Sequence, residues 1–91
     1  MNAENTIKVQ LITRPNCSLC RKVETQLEHV LRDYPDIDLE IFNVDIQDVL
    51  PSGRQSFITP AVWVKDSLWF MGTMNPNRFR LRLDQLISAN T

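Results

Sequence analysis

Long apolar runs are missing from this chain. No uninterrupted stretch exceeds the four residues of Ala61-Val62-Trp63-Val64, far short of the roughly 20 that cross a bilayer. A charge surplus is missing too: 10 Lys and Arg face 11 Asp and Glu, so the broad basic surface that a phosphate backbone demands is absent and nucleic acid is not an expected partner. Met1-Asn2-Ala3-Glu4-Asn5-Thr6 has no basic segment leading into an apolar one, so nothing marks the chain for export, and a cytoplasmic location without membrane association is expected. Metal ligands are scarce. Two cysteines and one histidine fall short of the four ligands of a zinc site, and only two chains sharing four cysteines could complete one. No repeat or low-complexity segment occurs. What is left, 91 residues of which 43% are apolar and 23% charged, has the make-up of one globular domain over residues 1–91, since a second would need its own core.

Ile7, Val9 and Leu11 alternate with Lys8, Gln10 and Ile12, the period-2 signature of a strand that ends near Thr13. Arg14-Pro15-Asn16 breaks it. From Cys17 onward Leu19, Val23, Leu27, Val30, Leu31 and Tyr34 recur at helical spacing, and Pro35 stops this helix because the residue before a proline is pushed out of the α region. Asp38 to Val44 alternates again as a second strand, with Leu39, Ile41 and Asn43 on one side and Phe42 and Val44 on the other. Asp45 to Ser56 reads as a short, irregular helix at Ile46 to Leu50, interrupted by Pro51 and Gly53. Ala61 to Val64 and Leu68 to Met71, rich in β-branched and aromatic residues, form an antiparallel pair joined at Asp66-Ser67. After a turn at Gly72 to Asn75, Asn75-Pro76 supplies an N-cap and a proline at the first helical position; Phe79, Leu83, Leu86 and Ile87 mark one face of the last helix. The order strand, helix, strand, short helix, strand, strand, helix contains one βαβ unit, whose strands must be parallel with a right-handed crossover. The expected fold is α/β: a four-stranded mixed sheet with helices on both faces.

Cys17 and Cys20 are the most informative residues. In a reducing compartment a C-x-x-C pair is catalytic or metal-binding more often than structural. As a staple it would be poorly placed, since closing four residues stabilises a fold by only about 2 kcal/mol on the chain-entropy formula, against about 4.7 for a loop of 100. Cys17 sits where the helix begins, so unpaired N–H groups and the positive end of the dipole favour a negative sulfur. No acidic residue occurs between Glu4 and Glu24, whereas Lys8, Arg14, Arg21 and Lys22 are cationic; Arg21 and Lys22, directly after the second cysteine, are assigned to lowering the thiol's pKa. Cys20, at i+3 and deeper in the first turn, lies within the separation a disulfide requires. The roles follow: Cys17 attacks a substrate disulfide and Cys20 resolves the mixed disulfide, leaving Cys17–Cys20 oxidised. The competing reading is two buried, inert cysteines.

The C-x-x-C at the junction of the first strand and first helix, Thr59-Pro60 before the third strand, and the hairpin with a C-terminal helix together resemble the thioredoxin fold. That resemblance implies a cis Thr59–Pro60 bond against the cysteines, with the Thr59 backbone free to pair with an extended substrate segment. Within the superfamily the chain is similar, from Ile7 to Ile87, to the small glutaredoxin-like proteins: Thr13-Arg14-Pro15-Asn16-Cys17-Ser18-Leu19-Cys20 resembles their T-R-x-x-C-x-L-C signature, and Asn43-Val44-Asp45-Ile46 the segment that ends their second strand. Two departures stand out. Thioredoxins proper carry Trp-Cys-Gly-Pro-Cys and a buried acid beneath the site, where this chain has Ser18-Leu19 between its cysteines and Leu11 at the corresponding strand position. Glutaredoxins grip glutathione with a Gly-Gly turn and an acidic residue opening the last helix; Gly72-Thr73-Met74-Asn75-Pro76-Asn77 has one glycine and no acid, which implies a weak grip on glutathione.

The remaining candidates are ordinary. Trp63 and Trp69 are expected to be buried in the sheet rather than to serve as a substrate platform, and His29, about 200° around the helix from Leu27, to face solvent. Leu19, in phase with Val23, is either core or part of an apolar landing surface beside the cysteines. Asn16-Cys17-Ser18 formally reads as a glycosylation sequon, an empty reading without export. The expected function is thiol–disulfide oxidoreduction with no metal or organic cofactor beyond the dithiol. Cys17 and Cys20 are catalytic, and Thr59, Pro60, Arg14 and Leu19 contact substrate. Protein disulfides stand on one side and glutathione or a flavin-dependent reductase on the other, the chain acting as a monomer. The alternative is a non-enzymatic redox sensor or protein-binding module that keeps the fold, and a metal-bridged dimer is a third.

Overall fold

In the computed structural model, which describes residues 7–46 and 58–89, the chain runs β1 (Ile7–Thr13), α1 (Ser18–Leu31), β2 (Ile37–Asn43), β3 (Ala61–Val64), β4 (Ser67–Met71) and α2 (Pro76–Ala89). The strands form one mixed sheet in the order β2-β1-β3-β4. β1 pairs in parallel with β2, Ile7 opposite Ile37 and Thr13 opposite Asn43, and antiparallel with β3, Ile12 opposite Ala61. This is the βαβ unit followed by a hairpin and a helix that the order of elements requires.

Alternation places Ile7, Val9 and Leu11 of β1 beside Val62 and Val64 of β3 on one face, where they meet Val23, Leu27, Val30 and Leu31 of α1 and Phe79 and Leu83 of α2 in a single buried cluster. Both described helices therefore cover the same face. The short helix expected at Ile46 to Leu50, which would cover the other, lies outside the described residues except for Ile46. Full burial of a side chain such as Leu27 or Phe79 stabilises the fold by about 1.5–3 kcal/mol relative to exposure.

Four boundaries differ from the sequence expectation. Helix α1 ends at Leu31 rather than at Tyr34: Asp33 N–H bonds Val30 C=O at 3.1 Å and Tyr34 N–H bonds Leu31 C=O at 3.0 Å, i→i+3 bonds that tighten the chain before Pro35. Tyr34 still packs against the core, and its hydroxyl donates to Asp84 of α2 at 2.6 Å. Burial, and then the bond to Asp84, push its pKa above the ordinary phenol value. Beside it Arg80 bonds Asp33 at 2.7 Å, which holds the guanidinium more firmly protonated than usual. β2 runs one residue early, its register set by β1. The hairpin turn is Lys65-Asp66, because Val64 pairs with Ser67, and Lys65 takes a left-handed φ of 57°.

The fourth difference is a bulge in β4. Val62 pairs with Phe70 and Trp63 with Leu68, so Trp69 is an extra residue. In a regular strand Trp69 and Phe70 would point to opposite faces. Here both rings meet Phe79 edge-on, with centroids 5.7 and 6.0 Å away, and the Arg82 guanidinium lies 4.4 Å over the Trp69 ring. Trp69 thus packs, half-buried, against the core at the start of α2, and Trp63 is half-buried in the sheet.

Candidate active site

Parallel pairing of β1 with β2, and antiparallel pairing with β3, bring three chain segments to one end of the sheet: the exit from β1, the exit from β2 and the entry to β3. At the first, Pro15 and Asn16 make a turn in which Asn16 adopts a left-handed φ of 59°. Proline followed by Asn is the pair favoured where the second central residue must be left-handed. The turn delivers Cys17 in an extended conformation, φ −116° and ψ 103°, as the N-cap of α1.

As N-cap, Cys17 does with sulfur what serine does with oxygen. Its Sγ accepts the Cys20 N–H at 3.1 Å, and its carbonyl accepts the Arg21 N–H at 3.2 Å. The first turn of α1 contains no acidic residue, so no carboxylate competes for the positive helix end and the sulfur is the group placed to carry negative charge there. Cys20 is 1% exposed and Cys17 half-exposed; the pair forms a disulfide with a Cα–Cα separation of 5.2 Å. One sulfur is open to a partner and the other is screened behind it.

Around this pair, Arg14, Ser18, Arg21 and Lys22 are exposed, and Leu19 is half-buried without joining the core cluster. Lys8 does not belong here. It opens β1 at the opposite end, since a seven-residue strand spans on the order of 20 Å, and it pairs with Glu40 at 3.5 Å. The acid-free sequence around Cys17 therefore supplies Arg14, Arg21 and Lys22 to the site, but not Lys8.

The entry to β3 lies alongside. Ile12 pairs with Ala61, which sets Pro60 level with the end of β1. The Thr59–Pro60 peptide bond is cis. Pro60 is fully buried, and its carbonyl accepts the Gly72 N–H at 2.7 Å, so the exit of β4 is tied to the same end. Gly72 has a φ of 83°, a conformation that favours glycine. Thr59 is half-buried, and Ile58 beside it is exposed. At the exit of β2, Val44 N–H bonds Thr13 C=O at 2.8 Å, and the Asn43 side chain accepts Asp45 N–H at 2.8 Å, closing the strand. His29 is exposed, and no group of three or more His, Cys, Asp or Glu able to hold a metal occurs among the described residues. None of their helices is long and apolar enough to cross a membrane.

Two residues of the site escaped the sequence reading in part. Cys17 was expected to begin the helix, and it instead caps it through its side chain. Asn16, which sets that geometry, carried a visible signal in the Pro15-Asn16 dipeptide.

The fold is that of thioredoxin-2 from a malaria parasite, a component of the parasite's protein secretion machinery, with a TM-score of 0.72 at 14% identity over 88% of this chain and 82% of that one. The oxidised form of mitochondrial thioredoxin 3 from Saccharomyces cerevisiae gives a TM-score of 0.70 at 14% identity, over 87% and 77% of the two chains. Thioredoxin from Fasciola hepatica gives 0.63 at 15%, over 99% and 88%. No curated protein matches the chain by sequence. At the level of sequence pattern, the family described as "Glutaredoxin-like domain (DUF836)" matches residues 8–90. With its C-x-x-C disulfide at the start of α1, the chain belongs to this glutaredoxin-like domain family, within the thioredoxin fold.

Proposed function

We propose that the protein is a thiol–disulfide oxidoreductase that reduces or exchanges protein disulfides. The observation that carries this reading is the placement of Cys17: a half-exposed sulfur acting as the cap of an acid-free helix start, with a buried second sulfur in bonding position. A cap that accepts an N–H is strengthened when it becomes an anion, so the same geometry favours thiolate over thiol.

In the dithiol form the Cys17 thiolate attacks one sulfur of a substrate disulfide. A new Cys17–substrate S–S bond forms, the old one breaks, and the leaving sulfur departs with the electron pair and takes up a proton from water. Cys20 then gives up its proton and attacks the Cys17 sulfur. The mixed disulfide breaks, the substrate leaves as its second thiol, and Cys17–Cys20 is oxidised. The substrate gains two electrons from the protein's two sulfurs and two protons, one from water and one released by Cys20. A low-molecular-weight thiol such as glutathione, or a flavin-dependent reductase, restores the dithiol. Arg14, Leu19 and Thr59 surround the incoming disulfide, with the Thr59 backbone pairing to an extended segment and Pro60, expected from sequence to touch substrate but buried, holding Thr59 in place from behind. The reaction needs no metal or organic cofactor, and a monomer working in the cytoplasm suffices.

The test is dithiothreitol-driven reduction of insulin disulfides. The wild type is expected to accelerate it and Cys17→Ser to leave the uncatalysed rate; equal rates for the two would sink the reading in favour of a redox sensor or binding module. With glutathione as the sole reductant, turnover is expected to be poor and unsaturated in the low millimolar range. The Gly72 to Asn77 segment has no acid for glutathione's ammonium, and its Gly72 and Asn77 N–H groups are already bonded within the chain.

A further inference from the structure

We infer that the site selects disulfides embedded in acidic polypeptide segments, and that Arg14 and Arg21, with Lys22, are the specificity-determining side chains. The inference rests on the oxidoreductase reading and adds the substrate class.

The whole chain gives no reason to attract anions, since its formal net charge is −1. Any preference for acidic partners must therefore be local. Away from Cys17, Lys8 pairs with Glu40, Arg80 with Asp33, and Arg82 lies over Trp69, while the exposed Arg32 and Arg78 are set apart from the cysteines near the end of α1 and the start of α2. Arg14, three residues before Cys17, and Arg21 and Lys22, four and five after it, are exposed and make no ion pair with any described residue. Arg21 shares the helix face of Cys17, since residues at i and i+4 are neighbours. Glu24, three residues after Arg21 on α1, and the exposed Asp45 at the exit of β2 form no ion pair with them among the described residues, and the helix end adds positive potential at the same place.

These cations are more than the thiolate needs. The sulfur is already held by the Cys20 N–H and the helix end, and exposed side chains are well screened from it by water. Flanking Asp or Glu residues on a substrate seated on Cys17 would meet Arg21 on the same helix face and Arg14 at the preceding turn, with Lys22 one residue farther along α1. There, charge complementarity raises the association rate and sorts partners. The opposite charge on a substrate would be repelled.

The experiment uses reduced protein in single turnover with two disulfide-linked peptides identical except that Asp and Glu flank the disulfide in one and Lys in the other. Each rate is divided by that peptide's rate with dithiothreitol, which removes differences in intrinsic disulfide reactivity. At low salt the normalised rate for the acidic peptide is expected to exceed that for the basic one by about tenfold or more, and the gap to close as salt is raised. In an Arg14→Glu/Arg21→Glu variant the order reverses. Because any change in Cys17 nucleophilicity alters both rates alike, the ratio reports recognition alone. Equal normalised rates in the wild type, or a ratio indifferent to salt, overturn the inference while leaving the oxidoreductase reading intact. Failure of both peptides to oxidise the protein overturns that reading, and the inference with it.

Discussion

Two helices start in this molecule under the same physical demand and meet it differently. At the start of α2 the Asn75 side-chain oxygen accepts the N–H groups of Asn77 at 2.9 Å and Arg78 at 3.1 Å, while Pro76 fills the position where an N–H would be idle. At the start of α1 a cysteine sulfur accepts one N–H, that of Cys20. Asparagine is a good cap at every pH, and it has no further chemistry. Cysteine is a poor cap as a thiol and a good one as a thiolate. In the reduced protein a thiolate would complete the first helix start, and that is what a reactive sulfur requires. Both helix starts lack an acid in the first turn, so the cap residue accounts for the difference between them.

The largest expected effect breaks the comparison at its reactive side. Cys17→Ser turns the first start into a second inert one: turnover of protein disulfides falls to background, while α1 keeps a cap. In urea the variant should be as stable as the reduced wild type to within about 0.5 kcal/mol, because serine is among the preferred N-caps. A variant that still turned over would show that Cys17 is not the attacking sulfur.

Next in size is the titration of Cys17. In a Cys20→Ser variant the Cys17 thiolate absorbance is expected to appear well below the ordinary thiol value of about 8.5, because the helix end and the backbone N–H at position 20 both favour the anion. The reverse variant, with Cys17 replaced and Cys20 retained, should show no such depression, since that sulfur is buried. A Cys17 midpoint at or above 8.5 would remove the thiolate argument.

Much of this was legible in the sequence, and the reasons are local. The strand over Ile7–Thr13 and the Asn75-Pro76 helix start came from short-range rules that nothing in the tertiary structure overrides. The C-x-x-C was placed correctly because a strand pattern precedes it and a helix pattern follows. What failed depended on partners distant in sequence. The register of β2 is dictated by β1, and as an edge strand it is only partly buried: Ile41, in phase with the core side, is 42% exposed. The bulge at Trp69 is invisible in an apolar run such as Leu68-Trp69-Phe70-Met71, where every residue suits a strand. Lys8 belonged to the acid-free segment in sequence but to the opposite end of the sheet in space.

At the structural side of the comparison, Asn75→Ala removes both hydrogen bonds at the start of α2. The expected cost is about 1 kcal/mol, within the usual range for losing an Asn cap, read as a lower urea midpoint with an unchanged slope. The Cys17 titration should not move. A shift there would mean that the two helix starts are coupled, and that the capping of α2 is part of the site.

The smallest effect lies where the two helices meet far from either start, at Tyr34 and Asp84. Tyr34→Phe removes a hydroxyl that donates to a carboxylate at 2.6 Å. Because the bond is partly open to water, the expected cost near neutral pH is at the low end of about 0.5–1.5 kcal/mol. Its pH dependence has a definite sign. Burial and the Asp84 bond raise the folded pKa of Tyr34 above its ordinary value of 10.0, so the neutral phenol is the form the fold prefers. The stabilisation is complete below the unfolded pKa near 10 and is lost as pH rises through the higher folded value. Urea midpoints of the wild type and Tyr34→Phe should therefore differ at pH 7 and converge as the pH is taken above 10. A gap that held constant or widened with alkali would mean that the hydroxyl's contribution does not depend on its proton. The contact would then be one of packing, with Arg80 over the ring at 5.8 Å the better candidate for what joins the two helices.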